Sequence, residues 1–135
     1  MATLKKYKEH AQLGSQLEVV EVEYDFAKDG GATGALDIIK FKEAVMVLDA
    51  WLKVDTAFTS GGSATLIYGV KSGDTDAFLD ATSGAVANLT VGSVIPNETA
   101  GKALKIAADG VVEMTIGTAA MTAGKGRFCF LVQKF

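Results

Sequence analysis

Three aspartates close together in the chain have the type and spacing that could do chemistry. Asp74 and Asp76 stand in one polar loop, and Asp80 follows shortly after. Paired carboxylates could act as the acid and base of a glycosidase, or bind Ca²⁺ through oxygen ligands. However, Phe78 stands where a calcium loop needs a third polar ligand, and the loop glycine is missing. Aspartates in a Gly-Asp-Thr-Asp sequence more often bond their own backbone, so we interpret them as turn residues.

The other reactive side chains are a single histidine and a single cysteine. His10 lies near the N-terminus, where no periodic pattern would fix the geometry of a catalytic triad. Cys129 stands between Phe128 and Phe130, and we interpret it as a small buried hydrophobe. One residue of each kind permits neither an internal disulfide nor a Cys/His zinc site. We therefore expect no catalysis, no metal and no cofactor.

Short apolar segments separated by glycines predict many strands joined by tight turns. Residues 16–26 alternate most clearly, with Val20, Val22, Tyr24 and Phe26 predicted to face inward. Further strands are predicted at residues 35–41, 44–55, 64–70, 86–94, 104–108, 111–116 and 126–135. Residues 77–81 fit either a short strand or a helical turn.

The segment 44–55 carries large apolar groups on both of its predicted faces. Strict alternation places Met46 and Leu48 on one face, and Val47 and Trp51 on the other. Such a strand lies either between two layers or at a subunit interface. Trp51 is our candidate contact anchor, because tryptophan is enriched at interface hot spots; ordinary core packing is the alternative.

The number and spacing of these segments predict an all-β fold with no convincing helix. We expect a single-domain β-sandwich, jelly-roll-like, with about eight or nine strands over residues 16–135. A closed barrel is the alternative. Asp109-Gly110, between two apolar segments, predicts a hairpin with a type I′ turn. Residues 1–15 are predicted to form an N-terminal arm.

Composition and charge indicate what kind of partner to expect. The chain is 49% hydrophobic with a mean hydropathy of +0.26, which favours a homo-oligomer that covers apolar surface. Its net charge of −3 does not favour nucleic acid, and no apolar run is long enough to span a membrane. Without a signal-peptide pattern, we expect synthesis in a cytoplasm.

Charge is unevenly distributed between the arm and the first strand. Lys5, Lys6 and Lys8 outnumber Glu9, whereas residues 16–37 hold six acidic residues and one lysine. We predict that these three lysines contact a neighbouring subunit or another protein, and a solvated terminus is the alternative.

Residues 48–79 resemble a segment common in small structural proteins of tailed phages. The matching features are Thr-Ala-Phe-Thr-Ser-Gly at residues 56–61 and Gly-Asp-Thr-Asp-Ala-Phe at residues 73–78, each next to a predicted strand. Residues 121–128, which lead into the last strand, are similar to the end of the same proteins. The resemblance covers about half of the chain and brings no catalytic residues with it.

The resemblance implies a capsid decoration (cement) protein in the virion. Proteins of this type are often trimers, which bind the outer surface of a phage head and bridge subunits of the major capsid protein. A tail or fibre component that binds carbohydrate or protein is the alternative, with Trp51 and Tyr68 as its only plausible exposed aromatic pair. A small hydrolase using Asp74 and Asp76 ranks last.

Overall fold

The computed structural model describes residues 17–98 and 102–135, which form two antiparallel sheets. The eight strands of the described part are β1 (Leu17–Asp25), β2 (Gly34–Phe41), β3 (Val45–Ser60), β4 (Thr65–Val70), β5 (Val94–Pro96), β6 (Leu104–Ile106), β7 (Gly110–Gly117) and β8 (Met121–Lys134). One helical turn, α1 (Phe26–Asp29), follows β1, and a 3₁₀ turn spans Val86–Asn88. The predicted arm, residues 1–15, lies outside the described residues.

The strands pair as a long hairpin folded back on itself. β1 pairs with β8, β2 with β7, and β3 with β6, so that three antiparallel pairs are nested within one another. The larger sheet has the order β1-β8-β3-β5, with β6 also on β3, and the smaller sheet has the order β2-β7-β4. Nested pairing over two sheets is the plan of a jelly roll, and the predicted all-β sandwich is confirmed.

A complete jelly roll would also pair β4 with β5. In the described part of the chain, β5 pairs with β3 instead. Residues 74–85 cover the free edge of β4. The Leu66 amide donates to the Gly84 carbonyl at 2.8 Å, and the Phe78 amide donates to the Tyr68 carbonyl at 3.1 Å. The edge of β4 is therefore satisfied by a loop rather than by a strand.

Aromatic side chains from both sheets meet at the centre of the core. Tyr68 of β4 packs edge-on against Phe128 of β8, with ring centroids 4.8 Å apart. Phe78 and Phe130 meet in the same way at 5.7 Å. Large buried rings in edge-to-face contact dominate core energetics, so this cluster holds the two sheets together.

The predicted alternation is confirmed in the first and last strands. In β1, Tyr24 is buried and Val20 and Val22 are half-buried, while the acidic residues between them are exposed or nearly so. In β8, Phe128 and Phe130 are fully buried, as the pattern predicted. Both strands have one apolar face, which fixes their register.

The alternation predicted for β3 is wrong in its first half because the strand contains a β-bulge. Val47 lies opposite Val132 and Asp49 lies opposite Leu131, so Leu48 is an extra residue. The bulge moves Val47 to the core face, where it is fully buried, and leaves Met46 partly exposed. Beyond the bulge the prediction holds, with Leu52 buried and Trp51 on the outside.

The predicted hairpin at Asp109-Gly110 is wrong. β6 pairs with β3 in the larger sheet, whereas β7 belongs to the smaller sheet. The Gly110 amide donates to the Ala107 carbonyl at 2.9 Å, and in this turn Asp109 alone has a positive φ, 63°. A type I′ turn needs two positive φ values, so this turn instead leads the chain from one sheet to the other.

The strand predicted at residues 86–94 is also wrong for most of its length. Its start is the 3₁₀ turn, and Leu89 is fully buried against β3 with its carbonyl bound by the Phe58 amide at 3.0 Å. Gly92, at φ 80°, then turns the chain, and only Val94 reaches a strand. The segment is apolar because Leu89 is buried in the core, but the turn at Gly92 prevents an extended backbone.

Candidate assembly surface

The side of the larger sheet that faces away from the core is the surface on which Trp51 lies, and we call it the outer face. Glu21 of β1 stands opposite Cys129 of β8, which stands opposite Trp51 of β3, and Trp51 in turn stands opposite Pro96 of β5. These residues form one cross-strand row, whose neighbours are close enough to contact one another.

Apolar side chains occupy the half of the outer face nearest to the start of β1, and we call this half the apolar patch. Leu17 and Val19 are 46% and 54% exposed. The patch consists of Leu17, Val19, Met46, Leu48, Trp51 and Leu131, of which the last four are partly exposed. Gln133 stands between Leu17 and Met46, and Asp49 stands opposite Leu131. Exposed apolar side chains interspersed with polar ones on one sheet face have the composition of a protein-binding surface.

Charged side chains occupy the other half of the outer face, and we call them the ionic cluster. Arg127 donates through Nε and Nη2 to the two Asp55 carboxylate oxygens, each at 3.0 Å, and through Nη1 to Glu21 Oε1 at 3.0 Å. The cluster consists of Glu21, Glu23, Lys53, Asp55, Lys125 and Arg127. The three acids and three bases of the ionic cluster balance, so the cluster itself has no net charge.

The Arg127 guanidinium controls the ionisation of its two partners. Its hydrogen bond to Glu21 holds the pKa of that carboxyl below the ordinary value of 4.5. Its hydrogen bonds to Asp55 likewise hold the pKa of that carboxyl below 3.8. The same contacts raise the pKa of Arg127, so Arg127, Glu21 and Asp55 are all charged at neutral pH.

Cys129 lies in the row between Glu21 and Trp51 and is fully buried. Its thiol donates to Glu21 Oε2 at 3.6 Å. Burial, reinforced by the nearby Glu21 charge, raises the pKa of Cys129 to about 11. The thiol is therefore protonated at neutral pH and unreactive, which agrees with the prediction of a buried hydrophobe.

A cleft with a volume of 300 Å³ lies beside Trp51, where β3 leaves β6 and meets β5. Asp49, Pro96 and Lys102 line it together with Trp51. Asn97 is 7% exposed, and its side-chain amide has no hydrogen-bond partner. Trp51 is partly exposed and lines this cleft.

Neither family models nor curated proteins match this chain. Solved structures do share its fold. A chain of the cyanophage Pam1 capsid asymmetric unit is 18% identical with a TM-score of 0.66, and the match covers 99% of this chain and 94% of that one. A chain of the acidic stable capsid structure of Helicobacter pylori bacteriophage KHP30 is 15% identical with a TM-score of 0.63, covering 87% of each. At these identities the similarity is one of fold.

The structure places the predicted contact residues as follows. Trp51 lies on the outer face and is partly exposed, in the row described above. Lys5, Lys6 and Lys8 lie outside the described residues, as does His10. Tyr68 is 1% exposed, so the exposed aromatic pair predicted for carbohydrate binding is wrong.

The aspartates of the polar loop accept hydrogen bonds from nearby backbone. The Asp76 amide donates to Asp74 Oδ1 at 3.3 Å, and the Ser83 amide donates to Asp80 Oδ1 at 2.9 Å. A hydrogen bond with Asp74 raises the pKa of Asp76. These contacts are those of turn residues, in line with the sequence interpretation.

The described residues contain neither a metal-binding group nor a membrane-spanning helix. Across residues 17–98 and 102–135, no group of three or more His, Cys, Asp or Glu side chains is arranged to hold a metal ion. Within the same ranges, no helix has the length and apolar character needed to cross a membrane.

Sequence reasoning missed Arg127 of the ionic cluster and Leu131 of the apolar patch. Both lie in β8, at positions that alternate with the buried phenylalanines. That alternation already indicated which side chains point outward. It could not indicate that Arg127 lies beside Asp55, because β3 and β8 are 72 residues apart at this contact.

Proposed function

We propose that this chain is a virion structural protein of a tailed phage, of the capsid decoration (cement) type. As a homotrimer it binds the outer surface of the head and bridges neighbouring subunits of the major capsid protein. The observation that carries this proposal is the shared fold with a chain of a phage capsid over 99% of the present chain.

The outer face fits such a role physically. A cement protein needs a stiff domain and a surface that binds protein. Burying the apolar patch against a partner lowers the free energy of the complex, and Trp51 offers a large rigid side chain for that contact. Symmetry repeats each contact many times over a capsid, so modest individual contacts give a high overall avidity. The proposal requires no catalytic group.

The experiment compares three chains for binding to heads assembled from the major capsid protein that is encoded with this chain. Trp51→Arg places a charge in the apolar patch. Val91→Arg is the matched control, because Val91 is 68% exposed on a loop away from the patch. We expect the wild type and Val91→Arg to cosediment with heads, and Trp51→Arg to lose binding by at least about ten-fold.

Solution mass and circular dichroism complete the test. We expect a trimer for the wild type and an unchanged β spectrum for both variants. A chain lacking residues 1–14 is expected to keep the fold and to bind heads more weakly, through loss of Lys5, Lys6 and Lys8. Equal cosedimentation of the two arginine variants would overturn the assignment of the outer face, and failure of the wild type to bind heads would overturn the capsid role.

A further inference from the structure

The cleft of 300 Å³ on the outer face lies at a gap in the strand ladder of β3. On the edge of β3 away from β8, β6 pairs with residues 45–47 and β5 pairs with residues 51–53. Residues 48–50 face no strand on this edge in the described part of the chain, and the Ala50 amide donates instead to Asp49 Oδ1 at 2.9 Å. Three extended residues span about 10 Å, so the gap is wide enough for a polypeptide chain to cross.

Asn97 lines this cleft, and its side-chain amide is buried. The residue is 7% exposed, and within the described ranges neither its amide nitrogen nor its amide oxygen has a hydrogen-bond partner. The backbone is fixed on both sides, because Pro96 belongs to β5 and the Glu98 amide donates to the Phe78 carbonyl at 3.0 Å. A buried amide without hydrogen bonds destabilises the free domain, and a ligand that supplies the missing partners removes this cost.

The chemistry of the amide indicates what such a ligand is. An asparagine side chain places a donor and an acceptor side by side, and a peptide group offers the matching acceptor and donor. We propose that the cleft binds an extended segment of a partner polypeptide, with its main chain hydrogen-bonded to Asn97 and one of its side chains packed against Trp51. No hydrogen bond within the described structure holds the Asn97 amide, so turning it toward the cleft breaks none.

The other lining residues favour a main chain over a charged group. The charged residues among them are one acid, Asp49, and one base, Lys102, so the cleft has no net charge with which to select an anion or a cation. Trp51 and Pro96 stand opposite each other and give a rigid apolar surface, which Val94, 59% exposed, extends. Main-chain hydrogen bonds beside a pocket for one side chain are a recurring way in which extended peptides are recognised.

The size of the cleft limits what it holds. A volume of 300 Å³ is at the lower end of the range for binding pockets, so only a short stretch of chain enters. The contact is therefore one point in a larger interface, and the outer face around Trp51 supplies the rest. The inference rests on the proposed function, because the partner is the major capsid protein, and it adds the side chain that holds a capsid segment.

The test compares two full-length variants that each remove a buried polar group. Asn97→Leu replaces the amide by an apolar side chain of similar size. Tyr68→Phe is the matched control, because the Tyr68 hydroxyl is also buried without a partner in the described structure but lies in the core between the sheets. Urea denaturation measures stability, and cosedimentation measures binding to heads assembled without DNA from the purified major capsid protein.

We expect both variants to have a higher urea midpoint than the wild type, since each loses an unsatisfied polar group. Binding to heads is expected to weaken about ten-fold for Asn97→Leu and to stay unchanged for Tyr68→Phe. A merely structural role of Asn97 would not combine higher stability with weaker binding. These heads contain polypeptide only, so a loss measured with them is not the loss of a saccharide or nucleic-acid contact.

Equal binding of Asn97→Leu and the wild type would overturn this inference and leave the capsid role intact. Failure of the wild type to bind heads would overturn both. If Asn97→Leu folds poorly, Asn97→Ala removes the same amide without adding bulk. Unchanged binding of Asn97→Ala to heads would then overturn the inference, and binding that is about ten-fold weaker would support it.

Discussion

Arg127 of β8 and Asp55 of β3 form a bidentate ion pair, with both nitrogen–oxygen distances at 3.0 Å. A planar guanidinium matches a carboxylate in this geometry, which a lysine at the same position could not reproduce. The third hydrogen bond of Arg127, to Glu21, adds β1. One side chain therefore joins three neighbouring strands of the outer face, β1, β8 and β3.

Replacing Arg127 should make unfolding less dependent on acid pH. The folded protein holds the pKa values of Glu21 and Asp55 below 4.5 and 3.8, so the unfolded chain takes up protons first as pH falls. The two carboxylates therefore stabilise the folded protein above their ordinary pKa values, and this stabilisation is lost as pH falls through their lower pKa values in the folded protein. In urea titrations we expect Arg127→Gln to lower the unfolding midpoint slightly at pH 7 and to flatten its decline below about pH 4.5.

High salt should shrink this difference, because the cluster is partly exposed and its charges are screened. Lys134→Gln is the control, since Lys134 pairs with Glu43 in a contact that is 70% and 72% exposed. Its urea midpoint should scarcely change at any pH. An Arg127→Gln profile that runs parallel to the wild type from pH 7 to pH 3 would contradict the role of the guanidinium.

Gly84 should tolerate no side chain. A Cβ atom there would lie 1.8 Å from the Leu66 carbonyl oxygen, and backbone on both sides prevents an easy adjustment. Gly84→Ala is expected to lower the free energy of unfolding by about 2 kcal/mol or more in chemical denaturation. Gly61→Ala is the control, because nothing lies within 4 Å of its Cβ position, and we expect a change within about 0.5 kcal/mol.

Two tyrosine hydroxyls should respond to removal in opposite directions. The Tyr68 hydroxyl is buried without a hydrogen-bond partner, and burial raises the pKa of Tyr68 well above its usual range. Tyr68→Phe removes an unsatisfied polar group, so thermal and urea unfolding should show a gain of about 1 kcal/mol. The Tyr24 hydroxyl donates to the Gly30 carbonyl, so Tyr24→Phe should lose about 1 kcal/mol. A loss in both variants would show that Tyr68 has a partner in solution.

The sequence predicted strands well where one face is apolar and the other is polar. β1 comes closest to that pattern, and its prediction at residues 16–26 matches the strand Leu17–Asp25. β8 was predicted only from residue 126, whereas it begins at Met121. β3 has apolar residues on both faces, so alternation could not reveal that Leu48 is an extra residue. The Asp109-Gly110 signal is a local one, whereas the pairing of β6 and β7 depends on strands far away in the chain.

The candidate surface was predictable only in part for the same reason. Trp51 was identifiable from its type and its position on a strand with two apolar faces. The ionic cluster was not, because Arg127 lies 106 residues from Glu21. Only the nested strand order brings these two side chains together.

The position of the bulge in β3 leads to a direct test with two adjacent residues. Strict alternation would bury Met46 and expose Val47, whereas the structure buries Val47 completely and leaves Met46 partly exposed. Val47→Lys buries a charge without a partner and is expected to cost several kcal/mol, enough to unfold much of the protein. Met46→Lys places its charge at the surface and is expected to change the free energy of unfolding by less than about 1 kcal/mol. Urea denaturation followed by Trp51 fluorescence measures the free energy of unfolding of both variants. A larger decrease for Met46→Lys than for Val47→Lys would contradict the bulge and support strict alternation.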